Sequence, residues 1–441
     1  MAGSKATQRL PVEEQALPPN YAWNVRAFAL DISMFTVGIS FVSTTTVLPS
    51  LIARLTDSAV IVGLAGGLTS GAWLLPQLVV ASAITRMPRK RPVVVRTAWL
   101  TRPFLLLIAL AIWLFGQRQP SLALAGVLVG FTAFYLFDAV VSVPWFDLLG
   151  RAIPAQRRGR LLGTAEILGG LGGIGVGVAV RFILGESSPW PFPSNYALLF
   201  VAASFFLVFS SIGLTCIREP EVSASTATVP SLREVIGLLP RILVHDHPFL
   251  KLVAVRVLAG FATLASSFYV LYATKALGFG LQATGDFVSA QVVGSLTAGL
   301  LMSSLQDRLG PLVHLRTMLA MMALPPLIAL GMGPLHRLWG QGVFYPYLLI
   351  YFFLGVSTAS IGWPYFNWIL EYSEEARRPL YIGLMNTLGA ITMLAPTVGG
   401  WIVSTVSYPA AFVAGLAFAV VGLMISLALP STRRVRSAST G

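Results

Sequence analysis

Asp31, Arg102, Asp138 and Glu166 are ionisable residues that stand inside largely apolar runs. A charge in hydrocarbon is expensive, so such residues pair with one another, line a water-filled path or move protons. Arg102 lies nine residues past Val93, and Asp138 lies nine residues before Asp147 on the following antiparallel run. At 1.5 Å per residue both come out roughly 13 Å deep, so an Arg102–Asp138 pair is expected. Such a pair is either a proton- or substrate-linked switch or a static buried ion pair. Asp31 and Glu166 come out shallower, where either could take up a proton in a dehydrated cavity or reach the headgroup region.

Other chemistry is nearly absent. The histidines His245, His247, His314 and His336 fall in or near loops, and no spacing suggests a zinc site or a nucleophile with its base. Gly169-Gly170-Leu171-Gly172-Gly173 lacks the Lys-Ser/Thr pair of a phosphate loop and reads as a close-packing helix surface. Cys216, the single cysteine, cannot form an internal disulfide. No catalytic residue, metal or cofactor is expected, and the chain is not read as an enzyme.

The elements that must hold those four residues are membrane helices. Of 441 residues, 56% are hydrophobic and 11% charged, against about 25% charged in a soluble domain; mean hydropathy is +0.77. The apolar runs predict twelve spans, at 25–51, 60–85, 93–115, 122–149, 161–184 and 196–217, then 252–274, 283–305, 312–332, 344–370, 380–406 and 410–429. Residues 1–24 read as a polar tail, 218–251 as a linker and 430–441 as a second tail. Within the linker, Ser231 and Glu234 fit the capping box of a short interfacial helix. The N-terminus lacks the pattern of a cleaved signal, so the first span is expected to be its own insertion signal.

The net charge of +13 is explained by topology rather than by nucleic acid. Arg86, Arg89, Lys90 and Arg91 cluster in one loop, Arg151, Arg157, Arg158 and Arg160 two spans later, and Arg433, Arg434 and Arg436 at the end. Alternate loops hold only isolated cations. That asymmetry places both termini in the cytoplasm of a cell inner (plasma) membrane protein.

The chain also repeats itself. Pro144-Trp145-Phe146-Asp147 aligns with Pro364-Tyr365-Phe366-Asn367, and without a gap Arg157-Arg158 falls on Arg377-Arg378, Gly163 on Gly383 and Gly169 on Gly389. A match that carries polar residues across a loop marks a duplication, hence two pseudo-symmetric six-helix bundles, 25–217 and 252–429.

The stretch from Gly299 to Gly310, ending Asp307-Arg308-Leu309-Gly310, resembles the loop signature of the major facilitator superfamily. Thr85-Arg86-Met87-Pro88-Arg89-Lys90-Arg91 keeps the basic cluster of the first copy but has Thr85 where the carboxylate would stand. The resemblance covers nearly the whole chain and implies an all-α membrane protein, two six-helix bundles and a monomer in the lipid bilayer.

A carboxylate in such a loop can cap a helix of the other half, and the arginine beside it can pair with a helix-end carboxylate. Asp307 is thus expected near Gly159, Arg308 at Glu371, and Arg86 or Arg89 at Asp147, as a cytoplasmic gate. Ordinary surface pairs are the alternative. The resemblance further implies a cavity lined by the first, fourth, seventh and tenth helices: Ser40, Ser43 and Thr44; Phe134, Asp138 and Trp145; Ser267, Tyr269 and Tyr272; Trp363 and Asn367. Gln291 and Asn386 join from the eighth and eleventh. An aromatic-rich wall with few fixed charges suits a neutral or cationic amphipathic ligand.

Alternating-access transport, with proton-coupled export of a hydrophobic or amphipathic small molecule, is the function expected. Uptake of a nutrient, movement of a lipid-like molecule and a non-transporting receptor stay open. The Gly-Pro-x-x-Gly-Gly motif of drug antiporters is missing from the fifth span; Ala395-Pro396-Thr397-Val398-Gly399-Gly400 in the eleventh is the nearest match.

Overall fold

The computed structural model describes residues 17–77, 79–80, 87, 89–220, 237, 246–374 and 378–431. Arg86, Thr85, Arg377, the Ser231–Glu234 capping box and residues 1–16 and 432–441 of the outer tails lie outside the described residues. In the first half the helices are α1 (Tyr21–Phe41), α2 (Val47–Leu55), α3 (Ala59–Leu74), α4 (Arg91–Phe115), α5 (Pro120–Ala152), α6 (Ala155–Leu184) and α7 (Ser194–Cys216). The second half has α8 (His247–Ala262), α9 (Ala283–Leu309), α10 (Pro311–Trp339), α11 (Phe344–Ser360), α12 (Trp363–Tyr372), α13 (Arg378–Gly389), α14 (Ala395–Thr405) and α15 (Tyr408–Leu427). Short turns of other pitch carry α8 on to Ala276.

Among the described residues nine stretches are long and apolar enough to cross a membrane, and one of them, Pro311–Tyr372, holds two spans. The shorter apolar α3 and the pair α1–α2 supply the remaining two. The duplicated all-helical plan therefore stands.

Four expected spans are broken, each where the sequence supplies a reason. The first stops at Ser43-Thr44-Thr45-Thr46, whose hydroxyls compete for helix bonds. The tenth divides at Gly362, ahead of Pro364, which has no N–H to give. The eleventh passes through a 3-10 stretch at Ala390–Leu394. The seventh loosens after Ala262 into a 3-10 turn and, from Tyr272 to Ala276, a π-helix. The repeat is thus unequal: Pro144 sits inside the unbroken α5, whereas its counterpart Pro364 starts a new helix.

Between the halves, α6 packs on α9 and α3 on α14. Both seams rest on glycine. A Cβ on Gly63 would collide with the Pro396 carbonyl, and one on Gly177 with Gly285 and Ser289. Such close approach is what small residues permit in a membrane bundle.

These seams occupy only one end of the molecule. At this far end a single buried apolar cluster runs through both halves, joining Leu51, Val62 and Val176 to Tyr269, Phe287 and Ala395. Toward the other end, which carries the basic loops, the interior divides. Phe28, Leu148, Leu161 and Leu214 form a cluster of the first half alone, and Phe249, Leu315, Trp368 and Leu384 one of the second. Nothing lies within 4 Å of a Cβ placed on Gly159, Gly163 or Gly299 at this basic end. The halves close at the far end and part at the basic end.

Candidate functional site

The buried charges of the first half form one connected layer. The Ser210 hydroxyl donates to Asp31 Oδ1 at 2.7 Å, and the Trp145 indole N–H donates to Asp31 Oδ2 at 2.8 Å. Arg102 donates from Nε to Ser211 at 2.7 Å and from Nη2 to Ser210 at 3.1 Å. Its Nη1 is buried without a hydrogen-bond partner. Asp31 is 5% exposed, Arg102 4% and Asp138 9%. The four spans α1, α4, α5 and α7 are therefore tied by a polar layer inside an apolar bundle.

This corrects the expected Arg102–Asp138 pair. The two are close enough to act on each other electrostatically, but the ion pairs within 4 Å between described residues do not include them. Helix ends explain the difference. α5 runs to Ala152, leaving Asp138 fourteen residues in, whereas Arg102 is eleven from the start of α4. α1 begins at Tyr21, so Asp31 is ten residues in and level with Arg102 rather than shallower. Asp138 lies instead beside the Trp73 indole. Ser210 and Ser211, which connect the layer, read as apolar filler in sequence.

Glu166 is placed differently. It is exposed on α6, one turn from Gly170, which lies against Leu296 of α9.

At the basic end the gate residues have other partners than expected. Asp147 pairs with Arg151 on its own helix at 2.8 Å, and Arg151 lies 3.8 Å from Glu219. Glu219 accepts from the Lys90 N–H at 2.9 Å and the Arg91 N–H at 2.9 Å, capping α4. Burial pushes the Lys90 ammonium down from its ordinary range, although Asp147 and Glu219 pull the other way. Arg89 is exposed. Nothing lies within 4 Å of a Cβ placed on Gly159, and Asp307, Arg308 and Glu371 each have partners at this end.

At the start of the second half Asp246 caps α8 through the Phe249 N–H at 3.0 Å and accepts from Tyr372 at 2.7 Å and Tyr381 at 2.6 Å. Each end of the linker is thus fixed by a carboxylate, Glu219 at one and Asp246 at the other. Neither stood out in sequence.

The expected lining residues fall into three groups. Thr44, Asn367 and Asn386 are half-buried, and Trp363 is 58% exposed; Trp145 is half-buried and held by Asp31. Ser43 and Gln291 belong to the far-end closure, bridged by Thr45, which was not among the expected residues and donates to Gln291 Oε1 at 2.6 Å. Tyr272 packs there against Phe412 and Tyr408, and Ser267 is buried beside Gly66. Phe134 and Tyr269 are corrections. Both are sealed in the interior, Phe134 edge-on to Tyr135 and Tyr269 stacked on Phe412. Ser40 turns back to the Thr36 carbonyl.

Two features were missed. Arg181 donates to both oxygens of Asp286 at 2.7 Å, joining α6 to α9 across the far end. Arg256 stands in the seventh span, 5.2 Å from the Tyr365 ring. The second had a signal in the sequence, since it is one more cation within an apolar run.

Comparison with known proteins places this arrangement. The chain matches the family described as the Major Facilitator Superfamily over residues 30–391 and 252–441. No curated protein matches it. Among solved structures it is similar to a bacterial homologue of the iron transporter ferroportin in an inward-facing state, at 13% identity and TM-score 0.69, covering 92% of this chain and 98% of that one. A bacterial homologue of the lysosomal transporter Spinster, inward-facing and unoccupied, gives 12% identity and TM-score 0.61 over 94% and 96%. A D-xylose-proton symporter gives 16% and 0.62 over 92% and 98%. At these identities the likeness concerns the fold.

Proposed function

The chain belongs to the major facilitator superfamily, and we propose that it is a secondary active transporter working by alternating access, coupled to protons. One observation carries this reading: a single apolar core joins the halves at the far end, while separate cores stand apart at the basic end. A two-bundle protein of that shape offers a midplane site to one side at a time. With the basic end in the cytoplasm, the state described is open inward.

The far-end closure is built from contacts that can be undone together: the Arg181–Asp286 pair, the Thr45–Gln291 bond and the glycine seams. In the opposite state Asp307, Arg308 and Glu371 would close the cytoplasmic end, with Arg89 and Asp147 as the first-half counterpart.

Coupling is assigned to the layer of the first half. Asp31 and Asp138 flank one cation, Arg102, so with both ionised the layer carries one uncompensated negative charge in a buried place. A bound proton removes that cost. Glu166, exposed on α6, would pass protons between this region and water. The substrate expected is an amphipathic small molecule, meeting Trp363, Asn367 and Asn386, and export is the direction favoured.

The test is flux in proteoliposomes with an imposed proton gradient. Export predicts that amphipathic dyes are driven against their gradient when the proton gradient is applied, and that Asp138→Asn and Asp31→Asn abolish the drive but leave exchange. Dye movement unaffected by the proton gradient would reject coupling; accumulation in the opposite sense would replace export by uptake.

A further inference from the structure

Arg256 is nine residues past the start of α8, about 13 Å along the helix, and is half-buried. It forms no hydrogen bond or ion pair with any described residue. Its contacts are the face of Tyr365 on α12, 5.2 Å away, and the Gly389 position on α13, whose Cβ would stand 3.6 Å from Nε. The Tyr365 hydroxyl is buried with no partner, and so is the indole N–H of Trp368, one turn along the same helix. The carboxylate nearest in sequence, Asp246, is taken up by the α8 cap, Tyr372 and Tyr381.

The corresponding place in the first half has no charge. Gly169 and Gly389 are repeat partners, and where Gly389 faces Arg256, Gly169 faces Thr36 and Ser33. Trp145, the partner of Tyr365, has its N–H satisfied by Asp31. The second half therefore presents a cation and two idle donors at a level where, in the first half, the Trp145 N–H and the Ser210 hydroxyl are taken up by Asp31.

A guanidinium within a span needs a counter-charge, and this one is half-buried in the half of its span nearer the basic end. What the place lacks is an acceptor bearing negative charge. We propose that Arg256, with the Tyr365 hydroxyl, is a binding site for the anionic group of an amphipathic molecule, a carboxylate, sulfate or phosphate. The planar donor fork of arginine suits such groups, and the Tyr365 ring lies 5.2 Å from the guanidinium. That the molecule is carried rather than merely bound rests on the transport reading. The charge of the ligand is then opposite to the cationic one that the aromatic wall suggested.

The experiment uses the full-length protein in phosphatidylcholine nanodiscs, titrated with decanoate, decyl sulfate, decyl phosphate, decanol and decyltrimethylammonium while the unfolding midpoint is followed. At least one of the three anions should raise the midpoint saturably, with decanol and the ammonium compound without effect. Arg256→Gln should weaken that response at least tenfold, Arg256→Lys should keep part of it, and Arg316→Gln, on α10 where the side chain donates to the Ser426 carbonyl at the end of α15, should keep all of it. Equal responses from Arg256→Gln and the unaltered protein, or no response to any anion, would overturn the proposal. Repeating the titration with phosphatidylglycerol discs separates two sources of the group. Suppression there assigns it to an anionic lipid headgroup, and persistence assigns it to a soluble molecule. Binding without flux in proteoliposomes would retain the site and reject the transport reading alone.

Discussion

Trp145 and Tyr365 occupy equivalent positions in the two halves, yet their surroundings treat charge in opposite ways. Around Trp145, Asp31, Ser210, Ser211 and Arg102 are hydrogen-bonded to one another across four spans, with only the Arg102 Nη1 left over, and an apolar bundle encloses them. Around Tyr365 there is a cation with no bonded partner among the described residues and a buried hydroxyl with none. The helices differ in the same sense. α5 passes through Pro144 unbroken, whereas the second half divides its tenth span at Gly362 and loosens its seventh and eleventh. On the proposed reading, the layer that closes on itself holds a bundle together and stores the coupling proton, and the layer left open, on interrupted helices, is the place that a ligand would complete.

The sharpest way to break this comparison is to remove the cation of the closed layer. Arg102→Met leaves two buried carboxylates and should cost about 3–5 kcal/mol of stability, read as a lower unfolding midpoint in detergent. Adding Asp31→Asn and Asp138→Asn should recover part of the loss. A cost under about 1 kcal/mol would mean that the layer is hydrated rather than closed.

Asp246→Ala should come next, at about 2–3 kcal/mol, because it removes a helix cap and the acceptor of two tyrosines. Tyr372→Phe and Tyr381→Phe should each reproduce only part of it. Glu219→Gln, at the other end of the linker, should cost about 1 kcal/mol by weakening the cap of α4, again by thermal unfolding. The smallest effect is expected for Arg256→Gln, within about 0.5 kcal/mol, since no bond to a described residue is lost. A large destabilisation there would show that Arg256 supports the fold.

Much of this was legible in the sequence. The apolar runs gave the number of spans, and the register from Pro144/Pro364 to Gly169/Gly389 gave the duplication, because both depend on local pattern. Which carboxylate faces which cation did not follow. It depends on helix ends: α5 is three residues longer than its expected span, α1 begins four earlier and α4 two earlier, so the depths of Asp138, Asp31 and Arg102 change by unequal amounts. Ser210 and Ser211 were invisible for another reason, since a serine in a membrane helix reads as small filler until its neighbour across the bundle is known. Phe134 and Trp363 show the limit for aromatics, where one is sealed in a bundle and the other 58% exposed, with nothing in their local sequence to separate them. Arg256 could have been found by the rule that singled out Arg102.

The central claim is that closure alternates between the two ends, and paired distances test it most directly. In a Cys216→Ser background, spin labels at Arg160→Cys and Leu309→Cys report the basic end, and labels at Glu186→Cys and Lys275→Cys report the far end; all four positions are exposed. In nanodiscs between about pH 5 and 8.5, where the proton is the proposed coupling ion, the account predicts two populations at each pair. They should shift in opposite directions, the basic-end distance shortening as the far-end distance lengthens. Single, pH-independent distances at both ends, or two distances that grow and shrink together, would contradict it.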